Sequence, residues 1–93
     1  MKIKIAHFYL PGTDGRQIQC MVFEADAQER TDSARGSLLT DLIRTAQFQY
    51  NLAVDKAVLA YTEFGHLKYF GTPDLAQYLS QRPLPRWTHE IDV

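Results

Sequence analysis

Two runs of β-forming residues, 2–10 and 17–23, flank the cluster Pro11-Gly12-Thr13-Asp14-Gly15. Alternating apolar residues around a Pro/Gly/Asp break predict a β-hairpin. The pattern recurs at Ala57-Val58-Leu59-Ala60-Tyr61-Thr62 and Leu67-Lys68-Tyr69-Phe70, separated by the tight segment Glu63-Phe64-Gly65-His66. A second hairpin is expected there. Between the hairpins, Leu39, Ile43, Ala46 and Tyr50 fall three or four apart behind Ser37, which predicts one amphipathic helix with Ser37 as N-cap, ending near Asn51. Thr72-Pro73-Asp74 supplies a cap, a proline at the first helical position and a first-turn acid for a short second helix carrying Leu75, Tyr78 and Leu79. Pro83 and Pro85 end it.

The expected fold is therefore α+β: a four-stranded, largely antiparallel sheet in ββαββα order with two helices packed on one face. Ninety-three residues suffice for one core and not two, so 1–93 is read as a single domain. Residues 26–36 are polar and read either as a mobile loop or as a ragged first helical turn, with Asp26 and Glu29 spaced as a capping box. Residues 83–93 read as an extended tail that Trp87 and Ile91 pin to the body.

Ten Lys and Arg against eleven Asp and Glu leave a net charge of −1, which disfavours nucleic acid and anionic membranes as partners. The opening Met1-Lys2-Ile3-Lys4-Ile5-Ala6-His7 has no unbroken apolar stretch, and no run reaches the ~20 apolar residues of a membrane span. Together with a single cysteine, Cys20, this places the expected protein in the bacterial cytoplasm, away from membranes.

A four-residue loop at 12–15 would set Pro11 opposite Arg16 and His7 opposite Cys20, close enough for an imidazole to polarise a thiol. A packed core thiol is the plainer reading, and a Cys/His-dependent enzyme ranks behind binding. His7, Cys20, His66 and His89 have no metal-ligand spacing, Gly12-Thr13-Asp14-Gly15 lacks the lysine of a phosphate-binding loop, and no nucleophile-elbow pattern occurs. No metal, cofactor or catalytic residue is expected. Arg30, Arg35, Arg82 and Arg86 read as solvated.

The same register gives the sheet a second face carrying Lys2, Lys4, Phe8, Met21 and Phe23, joined by Lys68. Aromatics and Met among isolated lysines suit a protein interface, with Phe8, Met21 and Phe23 as anchors and Lys2, Lys4 and Lys68 at the rim. The expected function is a small non-catalytic binding or regulatory module whose partner is another protein or the chain itself. A small nucleic-acid-binding regulator, stacking bases on the same face, is the functional alternative, and a helix or the Pro-rich tail covering this face would make it ordinary core. Replacing Phe8 and Phe23 with Ser is expected to leave the fold intact.

The segment Lys68-Tyr69-Phe70-Gly71-Thr72-Pro73-Asp74-Leu75-Ala76-Gln77-Tyr78 resembles the strand-to-helix step of AP2-like and integrase arm-binding domains. It spans about a tenth of the chain. Those families read DNA from an Arg-rich three-stranded sheet, which this chain lacks, so no functional residue is carried over.

Overall fold

The computed structural model describes residues 2–24 and 31–93. The chain runs β1 (Lys2–Pro11), β2 (Gln17–Glu24), α1 (Asp32–Tyr50), β3 (Lys56–Glu63), β4 (His66–Gly71), α2 (Pro73–Ser80) and β5 (His89–Asp92). The strands form one sheet in the order β4-β3-β2-β1-β5. Both hairpins exist, and β1/β2, β3/β4 and β1/β5 are antiparallel. The expected four-stranded sheet is corrected in two ways. The tail contributes a fifth strand, and β2 and β3 pair in parallel. Parallel neighbours need a crossover longer than a turn, and the 19-residue α1 provides it.

The helices lie on opposite faces rather than on one. Ile3, Ile5, Met21, Phe23, Ala57, Leu59 and Ile91 pack with Leu39, Leu42 and Ala46 of α1. Ala6, Cys20, Val22, Val58 and Ala60 pack with Leu75 and Leu79 of α2. The cause is visible in the two central strands, where Cys20-Met21-Val22-Phe23 and Ala57-Val58-Leu59-Ala60 are buried without a break. An unbroken apolar run belongs to a strand covered on both sides.

α1 starts earlier than Ser37. Thr31 is its N-cap, accepting from the Ala34 amide at 3.1 Å, and Asn51 closes it in the left-handed conformation. The stretch that reads as loop or ragged turn is thus helical from Asp32 onward, while the Asp26/Glu29 capping box lies outside the described residues. Arg35 is 6% exposed instead of solvated. Its guanidinium donates to Asp32 and Glu63, each at 3.0 Å, and sits 4.2 Å from the centre of the Tyr61 ring. The arginine thereby brings the first turn of α1 onto the end of β3.

α2 begins at Pro73 as its sequence suggests, but the Thr72 hydroxyl does not cap it. That hydroxyl accepts from the Ala57 amide at 3.2 Å, while the Thr72 amide donates to the Ala57 carbonyl at 3.0 Å. From α2 the chain crosses to the opposite edge of the sheet, and Trp87 packs on the α2-side cluster as it goes. Ile91, 1% exposed, anchors β5 on the other side. Among the described residues no helix is long and apolar enough to cross a membrane.

Candidate functional site

The first hairpin closes through five residues, not four: Pro11 lies opposite Gln17, His7 opposite Met21 and Phe8 opposite Cys20. Gly12 closes the turn, its amide donating to the Arg16 carbonyl at 2.7 Å, and Asp14 accepts from the Arg16 amide and guanidinium. The single extra residue exchanges the faces of one strand relative to the other. It dissolves both sites expected from the shorter loop.

His7 and Cys20 stand on opposite sides of the sheet, since successive side chains alternate and Phe8 is the residue facing Cys20. Cys20 is fully buried beneath α2, and burial pushes its thiol above the usual range. His7 lies on the α1 side in an edge-to-face cluster, 5.2 Å from the Tyr9 ring and 6.2 Å from the His89 ring, and its Nε2 is buried without a hydrogen-bond partner. His89 belongs to β5 and packs 4.8 Å from Tyr50. His66 is exposed beside the second turn. Among the described residues no three His, Cys, Asp or Glu side chains are gathered where a metal ion could be held.

The six expected binding residues do not share a surface. Met21 and Phe23 have no exposed area and lie under α1. Phe8 is half-buried on the α2 side with Leu10, Ile18 and Trp87. Lys2 and Lys4 are exposed on that side but lie directly across from Asp92 and Glu90 of β5, which offset their charge. Lys68 is on the far edge strand, opposite Tyr61 on the α1 side, where its ammonium donates to Glu63 at 2.9 Å. The sheet face imagined as free is occupied on one side by α1 and on the other by α2 and the crossing segment.

Two phenylalanine side chains stand almost fully in solvent, Phe48 on α1 at 91% and Phe64 at the tip of the β3–β4 hairpin, and of the two it is Phe64 that also has a left-handed backbone. Phe64 is 92% exposed and Leu67 is 50% exposed. The turn has two central residues, Phe64 at φ 51° and Gly65 at φ 78°. Two positive φ values in a two-residue loop define the type I′ geometry that matches the strand twist, for which Asn-Gly is the favoured pair. A bulky side chain in this region is strained, and here burial gives nothing back.

The tip is firmly held. Glu63, the residue before Phe64, accepts from Arg35 of α1 and from Lys68 of β4. The Lys68 ammonium first, and Arg35 with it, holds the Glu63 carboxyl below its ordinary range despite partial burial. In the sequence alone Phe64 reads as a turn spacer and Arg35 as solvent-facing. The signal available was a Phe-Gly pair standing where a tight hairpin wants Asn-Gly.

No family model matches the chain, and no curated protein and no solved structure is significantly similar to it.

Proposed function

We propose that this domain is a non-catalytic binding module that engages another protein chain through the β3–β4 hairpin and its outer strand. The observation that carries the reading is Phe64: a nearly fully exposed aromatic in a strained turn position, clamped in place by the Arg35–Glu63–Lys68 network. Strain of this kind persists where surrounding structure enforces it, and it clusters at functional sites. Aromatic side chains are the commonest anchors of protein interfaces. The alternative of nucleic-acid binding loses support because Lys2 and Lys4 face carboxylates across the sheet and Lys68 is paired. Cys/His chemistry loses support from the separation of His7 and Cys20. A cytoplasmic location belongs to the same proposal, supported by a lone, buried, free thiol.

The test is Phe64→Asn. Asparagine tolerates the left-handed conformation, so the variant should be more stable than the parent by about 1 kcal/mol in chemical denaturation. It should at the same time lose the protein partner recovered with the parent in affinity capture. Partner recovery undiminished by the substitution would count against the hairpin as the binding element.

A further inference from the structure

The two edges of the sheet are treated differently. On β5, the carbonyls of Glu90 and Asp92 are occupied by α1 side chains: the Tyr50 hydroxyl donates to the first and the Gln49 amide, at 3.3 Å, to the second. That strand is also only four residues long and carries two acids. Short, charged or covered edges are the usual protection against strand addition. Among the described residues the backbone of the six-residue β4 is not covered in this way. The two-residue turn makes Glu63 and His66 a hydrogen-bonded pair, and the Thr72-to-Ala57 bond shows the same phase at the strand's other end. His66, Lys68 and Phe70 therefore direct their backbone groups to β3, and Leu67 and Tyr69 direct theirs outward. Among the described residues no side chain is hydrogen-bonded to the backbone of Leu67 or Tyr69. Lys68, the residue type that commonly guards an edge, has its charge met by Glu63.

Resting on the hairpin reading above, we infer that the occupant of this edge is a second copy of the chain, paired antiparallel through β4 about a twofold axis so that two five-stranded sheets become one. Opposed residues in such a pair must share a face and present outward backbone groups, and of the registers this allows, those centred on Lys68 and on Tyr69 pair the most of β4. The first sets Lys68 against the second copy's Lys68, a like-charge contact. The second sets Tyr69 against its twin, Lys68 against the second copy's Phe70, and Leu67 against the second copy's Gly71, with no like charges opposed. It also carries the Phe64 tip past the second copy's Thr72 toward Pro73, an exposed apolar residue at the start of α2. One arrangement thus covers the open edge and the strained aromatic together. A single added strand pair buries less than the ~800 Å² per partner of a standard interface, so the association is a weak one that dilution reverses.

Equilibrium sedimentation of the unmodified protein over a wide concentration range should show monomer passing to dimer, and Leu67→Pro should remain monomeric throughout. Proline at 67 removes an outward N–H and leaves the β3–β4 ladder whole. A second measurement needs no variant: amide hydrogen exchange at Leu67 and Tyr69 should slow severalfold as concentration rises, while His66, Lys68 and Phe70, already bonded to β3, stay constant. A monomer at every concentration, with exchange at Leu67 and Tyr69 unchanged, overturns self-pairing. If a different protein is then still captured in a Phe64-dependent way, the hairpin site stands without it; if nothing is captured, both readings fall.

Discussion

Phe23→Ala should destabilise the protein by about 3–5 kcal/mol, read as a fall in the midpoint of urea unfolding with little change in slope. Phe23 lies in the middle layer, in a strand with β1 on one side and β3 on the other, and has no exposed area. Its neighbours are Ile5 and Leu59 across the strands and α1 above. Truncation removes most of a benzyl group from a site walled by two ladders and a 19-residue helix, so collapse into the cavity is restricted. Domains of this size are stable by only about 5–15 kcal/mol, and such a loss consumes much of the margin. Replacement by Ser adds a buried hydroxyl and should be worse. The earlier expectation that Phe8 and Phe23 could both become Ser in an intact fold is reversed by the register of the first hairpin. A small effect at Phe23 would mean that α1 does not close this face.

Gly71→Ala should be the next most damaging change, on the order of 3 kcal/mol in thermal or urea unfolding. Gly71 ends β4 with φ 143°, a region L-residues rarely adopt. A Cβ there would stand 2.3 Å from the Ala57 carbonyl oxygen and 2.9 Å from the Val58 Cα. Both are backbone atoms of the adjacent central strand, so relief requires moving the β3–β4 ladder or the start of α2. The close approach serves the Thr72–Ala57 bonds, which fix where the chain leaves the sheet and turns into α2. By contrast, Gly65 at φ 78° has open space around the Cβ position, so a substitution there would meet only conformational strain. Equal effects at the two glycines would contradict the packing described here.

The legible part of this fold was local. The two hairpins, the proline-acid start of α2, and Trp87 and Ile91 as anchors of the tail follow from turn chemistry and apolar spacing, which act over a few residues. The illegible part was set by long-range pairing. Whether a loop holds four or five residues decides which side chains share a face, and nothing in Gly12-Thr13-Asp14-Gly15-Arg16 alone makes that choice. The start of α1 was hidden because the residue that ties it down is an arginine, whose charge reads as solvent-facing until Asp32, Glu63 and Tyr61 surround it. The opposite placement of the helices was written in the unbroken apolar runs of β2 and β3, but the one-sided reading of an antiparallel sheet took precedence. The candidate site moved accordingly, from a face defined by parity to a turn defined by backbone strain.

The hairpin proposal requires that the sheet face under α1 be closed and that Phe64 at the β3–β4 tip be open to solvent. Hydroxyl-radical footprinting of the native protein reads this directly, because methionine and phenylalanine side chains are both reactive when solvent reaches them. Phe64 should be modified rapidly and Leu67 measurably, while Met21 and Phe23 remain unmodified until the protein is unfolded. Native-state modification of Met21 and Phe23 at rates comparable to Phe64 would show that the face under α1 is open, and the assignment of the hairpin tip as the binding element would lose its basis.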